Sequence, residues 1–270
     1  MPPFNSTNLG VEILLELKNV NVRFGGLHAV KDFNMMVKKG EIHSLIGPNG
    51  AGKTTVFNAI TKIVKVETGK IFIEGQDLSR FKAHEIVKLG ISRTFQNIIL
   101  FKYMTVMENI LIGYHSRYKS AFFNEIFGGR KYLSERLKAF SRVLDIADLL
   151  DLKNRLSSLA LNLPYGVQKI VEIGRALMSE PKLLLLDEPA AGLTENETEE
   201  LKKIIEKINK DWNITVLLVE HDMSVVMNIS NQITVMDFGR KIAEGRPEEI
   251  KSNPEVIKAY LGEKYESSLR

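Results

Sequence analysis

The sequence predicts an α/β fold: a parallel sheet with an antiparallel β section ahead of it and a helical section inserted in it. Three observations carry that expectation. The glycine-rich stretch Gly47-Pro48-Asn49-Gly50-Ala51-Gly52-Lys53-Thr54-Thr55 lies between strand-like residues 41–46 and helix-like residues 56–60. Four leucines at 183–186 run into Asp187-Glu188-Pro189, as a buried parallel strand ending in acids would. From about Asn97 to Asn162 the β pattern stops and helical spacing takes over.

The elements follow in order. Residues 1–10 are expected to be a flexible leader. Leu15 and Leu17, then Val20, Val22 and Phe24, alternate in two registers, which predicts a strand with a bulge near Lys18-Asn19. Gly25-Gly26 is a turn, and Phe33, Met35 and Val37 form the antiparallel partner strand. Glu67-Thr68-Gly69 reads as a turn before a short strand at 71–75. Residues 83–89 are helix-like and stop at Gly90, and 91–96 read as a strand ending in Gln96. Thr105-Val106-Met107-Glu108 is a capping box opening a helix through Ile112. Leu133, Leu137, Phe140, Val143, Leu144 and Ala147 predict a helix over 132–150, and Phe122, Phe123, Ile126 and Phe127 form an aromatic cluster ahead of it that folds onto the same section. Val167, Ile170, Val171, Gly174 and Leu177 mark a further helix, residues 198–208 a charged amphipathic one, and residues 214–219 and 233–236 two more strands. A short helix near 247–250 and a charged tail close the chain.

Composition narrows the function. The 270 residues are 44% hydrophobic and 26% charged, with a net charge of +4 that is dispersed along the chain. A solvated surface explains that balance better than nucleic-acid binding. Cysteine is absent, which removes disulfide and thiolate chemistry and fits a reducing compartment. The first residues lack the apolar core of a signal peptide. Runs such as the four leucines are strand-sized, far from the roughly 20 apolar residues that span a bilayer. Any membrane role is then peripheral.

The glycine stretch reads G-x-x-x-x-G-K-T, the phosphate-binding loop of a P-loop NTPase core. Its glycines let the backbone curl so that successive N–H groups converge on an anion, and the helix start adds its positive end. Asn49, Gly50, Ala51, Gly52, Lys53, Thr54 and Thr55 are therefore the candidate nucleotide contacts. Lys53 reaches the β- and γ-phosphates, and the Thr54 hydroxyl ligates Mg²⁺. Asp187 is placed to hold Mg²⁺ through water, and Glu188 to act as general base. His221, after the next strand, is placed to reach the γ-phosphate. Gln96 is either a solvated strand end or an amide ligand to Mg²⁺ or the attacking water. Phe24 is either a core aromatic or a stacking partner for a base.

Residues 30–32, 47–55, 92–96, 184–189 and 219–222 together resemble the ATP-binding subunits of ABC transporters. Phe24-Gly25-Gly26-Leu27-His28-Ala29-Val30, Gly90-Ile91-Ser92-Arg93-Thr94-Phe95-Gln96-Asn97 and Asp187-Glu188-Pro189-Ala190-Ala191-Gly192-Leu193 are similar to the narrower group serving branched-chain amino acid importers. The resemblance covers about residues 11–262. It implies an ABC ATPase fold in which residues 11–96 and 166–250 form the α/β core with its antiparallel part. Residues 97–165 would be the helical lobe with the signature segment, and 263–270 a tail. It implies ATP and Mg²⁺ as cofactors, Phe24 as the adenine-stacking aromatic, Gln96 as the Q-loop residue and His221 as the switch histidine. It also implies a head-to-tail pair with a second ATP-binding subunit, identical or not. Integral-membrane permeases would be direct partners and an extracytoplasmic binding protein an indirect one, with the chain peripheral on the cytoplasmic face of the plasma membrane.

The signature segment departs from the family's L-S-G-G-Q or L-S-Y-G-Q. Here it is Leu163-Pro164-Tyr165-Gly166-Val167. Pro164 replaces a hydroxyl residue and Val167 an amide, and Thr194 stands where Asp or Asn is usual in the loop after the acidic pair. The expectation is a segment that serves a partner's ATP poorly beside a complete phosphate loop of its own. A GTPase would need N-K-x-D, which Asn209-Lys210-Asp211 does not supply. Soluble repair or translation ATPases usually carry paired cassettes or a coiled-coil insert, and neither pattern occurs. A non-catalytic regulator fits poorly with Lys53, Asp187 and Glu188 all present.

Overall fold

A computed structural model of the chain describes residues 12–117 and 130–267. The leader and the aromatic cluster at 122–127 lie outside the described residues. Two sheets organise the rest. The first is antiparallel, in the order β2-β1-β4-β5, with β1 at Ile13–Phe24, β2 at Leu27–Lys38, β4 at Thr68–Ile73 and β5 at Gln76–Asp77. The second has the order β10-β9-β3-β8-β7-β6, from β3 (Ile42–Ile46), β6 (Ile91–Arg93), β7 (Leu183–Asp187), β8 (Thr215–Val219), β9 (Gln232–Asp237) and β10 (Arg240–Gly245). All its pairs are parallel except β9 with β10.

The leucine run in β7 shows why that sheet is central. Leu184 and Leu186 enter one apolar cluster, with Val216 and Leu218 of β8. Leu183 and Leu185 enter the other, with Leu217, Val219 and the Phe57 side chain of α1 (Lys53–Ile60). Alternation with period two therefore feeds two cores, and a strand covered on both faces reads as unbroken leucine. On the first face sit α2 (Val106–Ile112), α3 (Arg130–Leu149), α4 (Tyr165–Leu177) and α5 (Glu195–Trp212). The antiparallel sheet closes the second.

The expected bulge is present: the β1–β2 register shifts between Leu17 and Val20, and β1–β4 between Lys18 and Asn21. The turn expected at Glu67-Thr68-Gly69 is not one, because Thr68 and Gly69 already belong to β4. The bulge is the reason. Gly69, at φ +90°, lies so close to it that a Cβ would stand 2.2 Å from the Asn19 carbonyl oxygen. A glycine demanded by close backbone approach looks in sequence like a turn glycine. β6 stops at Arg93, short of Gln96, as the Arg93 side chain turns toward Asp187.

The capping box on α2 forms as predicted, with the Thr105 hydroxyl accepting from Glu108 N at 3.2 Å and Thr105 N donating back to the Glu108 carboxylate at 2.7 Å. In α3 the helical period holds, but the buried stripe is Ala139, Val143, Ile146 and Ala147, continued by Leu150 just past the helix end, while Leu133, Leu137 and Leu144 are exposed. A helix with a weak sequence signal and the short helix expected near 247–250 follow. α6 (Met223–Ile229) is capped by the Asp222 carboxylate accepting from Ser224 N, and α7 (Pro247–Lys251) starts on a proline. α8 (Pro254–Ser267) runs where a charged tail was expected. Asn253 Oδ1 accepts from the Glu255 and Val256 amides, and Val256 is buried with Ile250, Val235 and Ile46, which anchors its first turn.

Replacing Gly69 with alanine forces both a left-handed φ on a β-carbon and a backbone clash. The expected cost is about 1–3 kcal/mol, read as a lower urea midpoint at unchanged slope.

Candidate functional site

The strand order brings the C-terminal ends of β3, β8, β7 and β6 to one edge, which is where open α/β sheets bind ligands. The glycine loop leaves β3 there. Gly47, Gly50 and Gly52 have φ of +151°, +77° and +108°. At Gly47 a Cβ would stand 2.0 Å from the Met236 carbonyl oxygen, and at Gly52 2.6 Å from that of Ala29, so the loop is pressed against β9 of its own sheet and β2 of the antiparallel one. α1 then begins with no side-chain cap and no acid in its first turn, leaving its amide dipoles open to an anion. Lys53 Nζ donates to the Gly47 and Pro48 carbonyls at 2.7 and 2.9 Å, curling over the loop.

A cavity of about 330 Å³ stands over this loop. Asn49, Gly50, Gly52, Lys53, Thr54 and Thr55 form its floor, and Phe24, Glu188 and His221 line its sides. Ala51 is buried at the back of the loop and does not line it. Glu188 sits between two donors from other loops. Gln96 Nε2 donates to Glu188 Oε2 at 2.7 Å, and His221 Nε2 lies 2.7 Å from Glu188 Oε1. The backbone of Glu188 is left-handed, at φ +49°. The three expected catalytic side chains are therefore in direct contact. A carboxylate held this way beside a phosphate loop is equipped to accept a proton from water. Phe24 is half exposed at the end of β1, which decides against the core-aromatic alternative.

Asp187 is 3% exposed and does not line the cavity. Its Oδ2 accepts from Arg93 Nη2 at 2.6 Å, and Arg93 Nη1 donates to Asn58 Oδ1 of α1 at 2.7 Å. Sequence reasoning missed Arg93. It also missed Lys169 and Glu220. Lys169 Nζ reaches back from α4 to the Glu188 carbonyl at 3.0 Å, and burial lowers its pKa. Glu220 accepts from the Ala190 amide through Oε1 at 2.6 Å and from the His221 amide through Oε2 at 2.9 Å. Burial raises its pKa, against the pull of those amides. An acid directly after the all-buried strand Thr215–Val219 is the signal in the sequence that marks Glu220.

The signature segment lies elsewhere. None of Leu163, Pro164, Tyr165, Gly166 and Val167 lines the cavity. Pro164 occupies the N-cap of α4 with no side-chain cap, and Gln168 Nε2 donates to the Leu163 carbonyl at 2.9 Å. Gly166 is packed on Glu197, where a Cβ would meet the carboxylate at 2.6 Å. Thr194 is the N-cap of α5, its hydroxyl accepting from Glu197 N.

This arrangement defines a P-loop nucleoside triphosphatase. A family model described as ABC transporter matches residues 30–191, and one described as branched-chain amino acid ATP-binding cassette transporter matches residues 240–266. The chain is 43% identical to the high-affinity branched-chain amino acid transport ATP-binding protein BraF of Pseudomonas aeruginosa, and 44% identical to LivG of Escherichia coli, described in the same words. Each alignment covers 93% of this chain and 98% of the relative. A solved ATP-binding cassette of an ABC transporter, in its ADP conformation, superposes with a TM-score of 0.80 at 32% identity, covering 93% of this chain and 99% of that one. The chain belongs to the ABC transporter family of ATP-binding subunits, and it is an ATPase.

Glu220 gives the site a pH signature. Its folded-state pKa is raised above the ordinary value of 4.5. The unfolded chain therefore ionises first, and Glu220 weakens folding as pH rises from 4.5 through the folded value. Glu220→Gln removes that dependence. Whatever fixed cost the amide carries, the melting-temperature difference between variant and wild type should shift in favour of the variant between pH 5 and pH 8.

Proposed function

We propose that this subunit hydrolyses ATP to drive uptake of branched-chain or other hydrophobic amino acids through membrane permeases. The observation that carries the hydrolytic part is the Glu188 carboxylate, 2.7 Å from both Gln96 and His221 at the wall of the phosphate-loop cavity. The names of the relatives supply the substrate class.

In this reading the loop amides and Lys53 bind the β- and γ-phosphates, and Lys53 exchanges its carbonyl partners for phosphate oxygens. Phe24 stacks on the base. Glu188 takes a proton from the attacking water, and His221 hydrogen-bonds the γ-phosphate. Such a base contributes on the order of 10² to 10⁴ in rate. Among the described residues no cluster of three or more His, Cys, Asp or Glu side chains forms a protein-only metal site. Thr54 and Gln96 offer a hydroxyl and an amide oxygen, and Asp187, buried against Arg93 outside the cavity, would act through water; oxygen donors of this kind suit Mg²⁺ shared with phosphates. Bound there, Mg²⁺ would neutralise phosphate charge. Among the described residues no helix is long and apolar enough to cross a membrane. Attachment to the cytoplasmic face through permeases agrees with that.

The signature segment, outside its own cavity, is read as facing the ATP of a second cassette. The missing hydroxyl at Pro164 then weakens the site of the partner and leaves that of this chain intact. In the reconstituted complex of both cassettes with permeases, leucine delivered by the binding protein should raise ATP turnover. Glu188→Gln should lower turnover by 10²-fold or more while ATP still binds. Stimulation by urea and not by leucine would reject the substrate assignment. Pro164→Ser with Val167→Gln should raise turnover in a complex whose other hydrolytic site, that of this chain, is silenced by Glu188→Gln. No rise would reject the asymmetry.

A further inference from the structure

The hairpin joining β9 to β10 breaks a local rule. Asp237 pairs with Arg240, so the turn is the two residues Phe238-Gly239. Their φ angles are +42° and +83°. Both positive is the primed turn that fits strand twist, and asparagine, aspartate or glycine is the usual first residue. Phenylalanine there carries left-handed strain on a bulky side chain. That ring is also 77% exposed. The strained backbone and the exposed apolar ring both disfavour Phe238 as a matter of folding, so its position needs another reason.

The surroundings supply one. The turn is fastened to the nucleotide site on both sides. Gly239 N donates to the Ala51 carbonyl in the phosphate loop at 2.9 Å, and Gly239 O accepts from Lys31 N of β2 at 2.8 Å. A Cβ on Gly239 would stand 2.7 Å from the Ala29 carbonyl oxygen. The tip of this hairpin is thus locked against the loop and against the β1–β2 hairpin that carries Phe24 and Leu27. Those two side chains are 49% and 66% exposed, and with Phe238 they line the cavity that stands over the phosphate loop and holds Lys53, Glu188 and His221; Phe238 also borders a second cavity on the far side of residues 48–51. The β1–β2 hairpin makes its own two-residue turn with Gly25-Gly26, as the geometry prefers.

We propose that Phe238 is a second contact for the nucleobase, set on its own hairpin so that Phe24, Leu27 and Phe238 together give the phosphate loop an apolar site for a planar ring. This rests on the reading of that cavity as the ATP site. Aromatic faces and edges favour a planar π-system over water, and two apolar walls exclude more water than one. The proposal makes Phe238 a residue for base recognition, with no part in phosphate binding or proton transfer.

Phe238→Asn tests it, because asparagine suits the turn and should fold at least as well as the wild type. Calorimetric titration of the full chain with ATP and with inorganic tripolyphosphate, each with Mg²⁺, separates base from phosphate. The expected result is a melting temperature equal or higher, an ATP Kd raised about 3- to 10-fold, and an unchanged tripolyphosphate Kd. Phe24→Ala should give the same selective loss. An unchanged ATP Kd in Phe238→Asn, or an equal loss for both ligands, would overturn the proposal. Lys53→Ala tests the underlying reading separately: it should lose both ligands, and ATP binding that survives it would place the nucleotide elsewhere.

Discussion

One carboxylate held by two loops is the contact on which this site depends. Glu188 follows a strand that cannot move, since every residue of β7 is buried. Its two partners come from the ends of β6 and β8, the strands on either side of β7. The distances of 2.7 Å to Gln96 and His221 are therefore set by strand order as much as by the side chains. The left-handed backbone at Glu188 is tolerated because its amide donates to the Val219 carbonyl and its carbonyl accepts from Lys169.

Buried polar groups extend that contact outward. Glu220 bridges the loop after β7 and the loop after β8 with its two oxygens, so Ala190 and His221 cannot shift independently without leaving an amide unpaired. Lys169 ties α4, the helix behind the signature segment, to the peptide of the proposed base. Arg93 joins Asp187 to α1 and lies against the rings of Phe57 and Phe95. Removing one partner of such a buried pair strands the other, at a cost of about 3–5 kcal/mol. These links give any force applied near Phe95 or α4 a short path to the acidic pair. Phe95 also lines a groove with Glu172 and Arg175.

Much of this was legible in the sequence because it depends on local pattern. The phosphate loop, the capping box at Thr105, the bulge near Asn19 and the leucine strand each declare themselves through spacing or residue type. What was not legible depends on contacts distant in the chain. Gly69 resembled a turn glycine because the carbonyl it must accommodate belongs to Asn19. The period of α3 was readable, but Leu133, Leu137 and Leu144 share that period and only tertiary packing selects Val143 and Ile146. Arg93, Lys169 and Glu220 have no role that spacing reveals, since nothing nearby in sequence shows that Asp187, the Glu188 carbonyl and the Ala190 amide are their partners. α8 was hidden by its charged composition, and the burial of Val256, with Tyr260 half-buried against the same cluster, anchors its described part.

The central claim is that Gln96, Glu188 and His221 change partners around a bound nucleotide at the phosphate loop. The most direct measurement is a structure of the Glu188→Gln chain with ATP and Mg²⁺ at a resolution that shows water. The account predicts the triphosphate on the amides of residues 49–55, Lys53 turned from the Gly47 and Pro48 carbonyls to phosphate, and metal beside Thr54. It also predicts His221 at the γ-phosphate, and a water between that phosphate and residue 188. A nucleotide bound with Lys53 still on its carbonyls, or with residue 188 remote from the γ-phosphate, would contradict it.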